Sequence, residues 1–357
     1  MDLKKLLQPI KVGSIELKNR FVVPAMGTNF ATPDGYVTDQ LIAYHTARAK
    51  GGYGLIITEV VAVQANGKAI IFEPGIWDDS FIPGWKKLTD SVHAVGGTIF
   101  CQLHHCGRQT LPVFIGGETP VAPSAVPCPA DDSICRELTS DECWELVHAY
   151  SDAAVRAKEA GFDGVEVHGG HGYMIAQFMS PHSNKRTDEW GGDLYGRLKL
   201  PREIFKEIRQ KCGKDFPMIF RYSYDQKVTG GTTLEEATVI ARVAEDCGVN
   251  ALNITVCTYA SVEYMCATPM MPSGWNEFPT AVIKNSVNIP VMAVGRFNNL
   301  LVAADCLEAG RADLICFGRT SLADPELPNK LAEDRLDEQI PCIGCTQSCV
   351  SALTNPA

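Results

Sequence analysis

Along the chain, short runs of β-branched and other apolar residues alternate with longer stretches in which apolar residues recur at helical spacing. Eight of the short runs read as strands, at 21–25, 55–60, 98–103, 164–168, 218–222, 251–256, 290–294 and 314–317. Each is near-continuously apolar, as expected for a parallel sheet covered on both faces. Thr139 with Glu142, and Thr232 with Glu235, have capping-box spacing ahead of the periodic segments 143–160 and 236–247. Gly161 and Gly248 stand where a left-handed residue closes a helix. Eight strand-helix units without a break between halves predict an α/β fold, a closed (β/α)8 TIM barrel, over an open doubly wound sheet.

Composition changes this picture little. A chain of 357 residues fits one such barrel, and 45% hydrophobic with 21% charged residues excludes a disordered chain. The net charge of -10 argues against nucleic acid and anionic membrane surfaces as partners. No apolar run reaches the roughly 20 residues that cross a bilayer, and Met1-Asp2-Leu3-Lys4-Lys5 lacks the apolar stretch of a secretory leader, so a cytoplasmic location is expected. A homo-oligomer is neither required nor excluded. Of the 14 cysteines most stand singly in apolar runs, as reduced, partly buried thiols do. Cys342, Cys345 and Cys349 are the exception, and they divide the chain into a barrel, 1–335, and a cysteine tail, 336–357.

Chemistry in a barrel sits on the loops that follow strand C-termini. Two of these stand out, 104–138 and 169–200. The fourth strand runs into His168-Gly169-Gly170-His171-Gly172-Tyr173, where two imidazoles at a glycine turn can donate to one oxygen and a phenol can give a proton. The plainer readings are rings that cap loop carbonyls, or a metal pair, although no third ligand follows at useful spacing. Val60, Gln102 and Arg221 end the second, third and fifth strands. Gly295-Arg296 and Gly318-Arg319 end the seventh and eighth, the usual phosphate corner of a barrel; the alternative is that Arg319 pairs with Asp324. No GxGxxG follows a strand, so no Rossmann dinucleotide site is expected.

The His168/His171/Tyr173 segment, with its continuation Gln177-Phe178-Met179-Ser180-Pro181 and Asn184-Lys185-Arg186-Thr187-Asp188-Glu189-Trp190-Gly191-Gly192, resembles the signature of the Old Yellow Enzyme family. Leu17-Lys18-Asn19-Arg20 leading into Val22-Val23-Pro24-Ala25-Met26-Gly27 is similar to that family's first strand. The resemblance spans essentially the whole chain. It implies FMN, with Pro24, Ala25, Met26 and Gly27 along the flavin edge, Gln102 on its pyrimidine part, Val60, His168 and Arg221 beside the ring, and Gly295, Arg296, Gly318 and Arg319 on the phosphate. It implies that His168 and His171 bind the activating oxygen of an α,β-unsaturated substrate, while Tyr173 protonates Cα and flavin N5 delivers hydride to Cβ.

Cys342-x2-Cys345-x3-Cys349 resembles the [4Fe-4S] motif of the family's iron-sulfur branch of 2,4-dienoyl-CoA and 2-enoate reductases. There a fourth cysteine precedes an Asn-Pro. Here Ala352 falls at that place, before Asn355-Pro356, so the fourth ligand is not identified. The branch also implies FAD- and NAD(P)H-binding regions, with NAD(P)H as the distal electron donor. Thr255-Val256-Cys257-Thr258-Tyr259 lacks the second catalytic histidine of dienoyl-CoA reductases, which favours a simpler alkene activated by a carbonyl or carboxylate. Two alternatives stay open. One is amine oxidation of the trimethylamine dehydrogenase type, with Tyr222, Tyr224, Tyr259 and Trp275 as a cation cage. The other is a non-redox barrel or electron-relay module.

Overall fold

The computed structural model describes residues 2–130 and 132–349. Eight parallel strands close in sequential order into one barrel: β1 (Phe21–Val23), β2 (Leu55–Ala62), β3 (Ile99–His104), β4 (Gly164–Gly169), β5 (Met218–Ser223), β6 (Ala251–Thr255), β7 (Val291–Val294) and β8 (Leu314–Cys316). All eight expected strands are present. Their ends shift by one or two residues, chiefly where β2 and β3 run on to Ala62 and His104. Every residue of β3 to β6 is buried, because helices cover one face and the barrel interior the other.

An N-terminal hairpin, Ile10–Val12 paired with Ile15–Leu17, closes the bottom of the barrel. Its Val12 and Leu17 pack on the inward-facing Val22, Leu55, Ile57, Phe100, Ile219, Met292 and Leu314, so the lower interior is dry and apolar. Higher up the filling becomes polar, with Gln102, Glu166, Asn253 and Arg221 all buried inside the sheet. In β2 the pairing passes from Ile57 opposite Phe100 to Val60 opposite Gln102, which bulges Thr58-Glu59 out of register just below the rim.

Helix starts follow their caps. Thr139 and Glu142 form the full reciprocal capping box of Ser140–Glu159. The second cap is displaced by one residue from the expected Thr232: Thr233 accepts from the Glu236 amide and the helix spans Leu234–Asp246. Thr232 is drawn inward instead, its amide donating to Gln226 Oε1 at 3.3 Å. Gly161 and Gly248 take the expected positive φ, 86° and 84°. None of the helices described is long and apolar enough to cross a membrane.

Candidate active site

The top of the barrel is assembled by the two long loops foreseen from sequence. Gln177, on the short helix Met174–Met179 after β4, donates to Gly172 O at 2.8 Å and Cys106 O at 3.2 Å and accepts from the Arg108 amide at 3.2 Å, which ties the β3 and β4 loops together. Gly172 has φ 78°, and a Cβ there would lie 2.5 Å from Gln109 Oε1, so both conformation and space require glycine. His171 itself is left-handed, φ 55°, as are Cys257 after β6 and Arg296 after β7. Such non-glycine strain costs about 1–3 kcal/mol each and gathers where a side chain must be aimed.

The run from Asn184 to Gly192 is scaffold. Asn184 Nδ2 donates to Phe178 O and Trp190 O, each at 2.8 Å, and Arg186 clamps Asp188 at 2.6 Å while reaching the carbonyls of Pro123 and Leu138.

His168 and His171 are buried, and burial first, then neighbouring positive charge, holds both well below the usual imidazole range. They are neutral at physiological pH. Their arrangement differs from two rings side by side on one oxygen. His171 Nε2 lies 2.8 Å from Thr255 Oγ1 and His171 Nδ1 lies 3.3 Å from His168 Nε2, so the rings stand in series. With Thr255 as the donor at its start, the chain ends on an N–H at His168 Nδ1, which has no partner in the protein and can donate to an incoming oxygen. The Tyr173 hydroxyl is 2.6 Å from the Tyr259 hydroxyl.

Beside this chain, Gln102 Nε2 donates to Glu166 Oε2 at 2.6 Å and Asn253 Nδ2 donates to Glu166 Oε1 at 2.7 Å. Arg221 stands opposite His168 in the β4–β5 register and reaches across to Ala25 O at 3.2 Å. Burial pushes the Glu166 carboxyl up, and Arg221 opposes that shift. Pro24 and Met26 lie next to Gly318, whose added Cβ would stand 3.6 Å and 3.3 Å from them. Arg296 donates to Met271 O at 2.9 Å and Arg319 to Ala267 O; Asp324 pairs with Lys330 at 3.0 Å, not with Arg319.

Val60, half-buried, sits opposite Gln102, and Gly27 follows Met26 on the loop after β1. The candidate residues thus share one rim. Among them Gln102 Oε1, His168 Nδ1, Arg221 Nε, Arg296 Nε and Arg319 Nη1 are buried with no hydrogen-bond partner. Convergent unpaired polar atoms are costly unless a polar ligand meets them. The set fits FMN: amide and guanidinium groups for the ring edge, two arginines for a phosphate.

The four aromatic residues of the amine-cage alternative do not form one cage: Trp275 and Tyr224 are linked through Tyr264 and Lys227, away from the other two. Tyr222 stacks on Phe220 and donates to Ala237 O at 2.8 Å, outside the barrel, whereas Tyr224 bonds Asn276 and Tyr259 bonds Tyr173. Thr255, Glu166, Asn253, His104 and Glu73 were not foreseen, and Tyr259, expected in a cation cage, stands instead against the Tyr173 hydroxyl. The double histidine His104-His105 was the one sequence signal for any of them.

Glu59, in the β2 bulge, accepts from the Thr28 amide at 2.7 Å and the Thr28 hydroxyl. Burial pushes it up to about 7 from 4.5, against those bonds. A raised acid stabilises the fold fully below its unfolded value and loses that contribution as pH climbs through its folded value. Between pH 4.5 and about pH 8 this group should remove about 3 kcal/mol of stability. Urea midpoints at both pH values should therefore fall less steeply for Glu59→Gln than for wild type, and equal slopes would contradict the assignment.

Cys342, half-buried, offers its carbonyl to Asn298 Nδ2 at 3.3 Å; Cys345 is exposed and Cys349 half-buried. Burial raises the Cys349 thiol and Arg319 opposes this, so the tail lies near the arginine corner. Among the described residues no three His, Cys, Asp or Glu side chains are gathered as a metal site. Ala352 and Asn355-Pro356 lie outside the described residues.

Comparison with known proteins gives the following. The profile of the NADH:flavin oxidoreductase / NADH oxidase family matches residues 5–338. An NADH oxidase of Thermoanaerobacter brockii is 43% identical over 95% of this chain and 52% of its own length. A cinnamate reductase of Clostridium sporogenes is 36% identical over 99% of this chain and 56% of its own. Among solved structures, a 2-naphthoyl-CoA reductase bound to 2-naphthoyl-CoA superposes with a TM-score of 0.94 at 33% identity, over 99% of this chain and 56% of that one. An old yellow enzyme homologue from Zymomonas mobilis superposes with a TM-score of 0.79 at 28% identity, over 92% and 93%. The chain spans about half the length of the first curated relatives it matches.

Proposed function

The chain belongs to the NADH:flavin oxidoreductase / NADH oxidase family, that of the Old Yellow Enzyme, and from that membership we propose that it is an FMN-dependent ene-reductase acting on an α,β-unsaturated carbonyl or carboxylate. The observation that carries this reading is the buried Tyr173 hydroxyl beside the Thr255-His171-His168 chain, on the rim where five polar atoms lack partners.

When bound, FMN supplies the hydride for Cβ. Gln102, Arg221, Val60, His168 and the Pro24–Gly27 backbone hold its ring, and Gly295, Arg296, Gly318 and Arg319 its phosphate. The neutral histidine chain polarises the substrate oxygen by a hydrogen bond and keeps the charge that builds there within reach of N–H donors. Tyr173 gives its proton to Cα. Burial of all three side chains keeps water from competing for that proton.

NAD(P)H is the proposed distal electron donor, through FAD on a further region of the kind the resemblance implies. In this reading 1–335 form the FMN barrel and 336–357 begin the cysteine-bearing extension. Cys342, Cys345 and Cys349 are proposed [4Fe-4S] ligands on their spacing, with no support from a gathered ligand set. No step is routed through such a cluster.

Anaerobic stopped-flow tests the reading directly. The reduced holoenzyme is mixed with cinnamate or with 2-cyclohexenone, and flavin reoxidation is expected to track alkene concentration. The oxidised enzyme mixed with trimethylamine is expected to keep its flavin spectrum. Bleaching by the amine together with indifference to both alkenes would overturn the proposal, and iron with acid-labile sulfide at background would remove the cluster.

A further inference from the structure

A buried carboxyl group lies behind Tyr173 and has no part in the chemistry above. Glu73, in the segment after β2, is fully buried; its Oε2 accepts from the Ala69 amide at 2.7 Å and its Oε1 has no hydrogen-bond partner. His104, the last residue of β3, is equally buried, and neither ring nitrogen is bonded. Its Nε2 stands 3.7 Å from that free Glu73 oxygen. The His104 ring meets the Tyr173 ring edge-on, with centroids 4.3 Å apart. The Tyr173 hydroxyl is 2.6 Å from that of Tyr259, and Ala69, Cys106, Tyr173 and Tyr259 pack into one apolar patch.

Two facts need explaining together. An unpaired buried polar group destabilises the fold, so such a pair facing each other across a gap just longer than a hydrogen bond is not a stabilising ornament. Moreover, burial holds the Tyr173 phenol well above its ordinary range, and the neighbouring Tyr259 and Glu73 add to that. A bare phenolate left at this place is therefore unfavourable, and Tyr173 gives up its proton readily only when another is at hand.

We propose that Glu73 and His104 form an internal proton store, which reloads the Tyr173–Tyr259 hydroxyl pair as Tyr173 delivers its proton to the substrate. The proposal rests on the ene-reductase reading. The O–H bond of Tyr173 breaks and a C–H bond forms at Cα, Cβ having received the hydride. One proton passes from the Glu73/His104 pair to the phenolate, leaving Tyr173 neutral and Glu73 a carboxylate. A proton from water refills the store while NAD(P)H restores the two electrons, so each turnover consumes one hydride and one proton. Glu73 and His104 act through the phenols and do not touch the substrate. Lys68 favours ionisation of Glu73 and Glu59 opposes it, His105 and His168 face His104, and Cys106, Tyr150 and the phenols are the other titratable neighbours.

The test is single-turnover alkene reduction by the reduced holoenzyme, in H2O and D2O, for wild type, Glu73→Gln, His104→Gln and Tyr173→Phe. Glu73→Gln keeps an acceptor for the Ala69 amide and is expected to slow reoxidation by cinnamate about ten- to a hundredfold with an enlarged solvent isotope effect. Reduction of the flavin by NAD(P)H is expected to stay within about twofold, a separation that a merely structural role does not produce. Infrared difference spectra of the flavin-free protein supply a readout apart from activity: a protonated carboxylic acid band at neutral pH, absent in Glu73→Gln. Slowing in Tyr173→Phe with wild-type rates and isotope effects in both other variants refutes the store and leaves the ene-reductase reading intact. No slowing in Tyr173→Phe refutes the reading itself. Should Glu73→Gln not fold, His104→Gln and the infrared band that persists when Glu59 is replaced in Glu59→Gln decide, and a band missing there counts against the store.

Discussion

Glu166→Leu is expected to lower the stability of the protein by about 3–5 kcal/mol, the cost of breaking a buried charged network on one side only. The carboxylate holds the side-chain amides of Gln102 and Asn253 at 2.6 Å and 2.7 Å inside the barrel, and it is the anion that Arg221 faces. Leucine fills the volume but strands a buried guanidinium and two amide donors. Adding Arg221→Met to Glu166→Leu should then recover at least half of the loss, because the uncompensated charge is gone. Urea unfolding of the single and double variants, with and without added FMN, measures this. Additive losses would mean that Glu166 and Arg221 do not form one network.

The second large effect is kinetic. Tyr173→Phe is expected to slow alkene reduction by about 10²–10⁴, the usual worth of a positioned proton donor, while leaving reduction of the flavin by NAD(P)H near the wild-type rate. The raised phenol also fixes the pH behaviour: Tyr173 stays protonated across the neutral range, so its own titration should not limit the wild-type rate there. Stopped-flow traces of both half-reactions from about pH 6 to about pH 9 check this. A Tyr173→Phe variant that reoxidises at full speed removes the assigned role. The two predictions act on adjoining layers of one barrel. In the proposed reading the Glu166 layer positions the amide and guanidinium offered to the cofactor, and the histidine-tyrosine layer above it handles the substrate.

The eight strands, both capped helices and the two working loops were legible in the amino-acid order because they depend on local periodicity and on caps spaced within one turn. The cap on the helix Leu234–Asp246 was misplaced by one residue. Thr232 and Thr233 offer the same spacing, and only the long-range bond from Thr232 to Gln226 separates them. His168, His171 and Tyr173 could be singled out because glycines surround them at a strand end, and Arg296 and Arg319 because they occupy matched positions. What sequence could not reveal is who meets whom. Thr255 is an ordinary strand residue until the β6 rim brings it 2.8 Å from His171, 84 residues away. Glu73 and His104 are unremarked until burial leaves their facing atoms unbonded. Local order determines where a strand ends and which side chain stands there, since that is settled by alternation and capping within a few residues. The partner of that side chain, its charge state and the water it excludes are set by closure of the cylinder, which turns separations of tens of residues into hydrogen-bond distances.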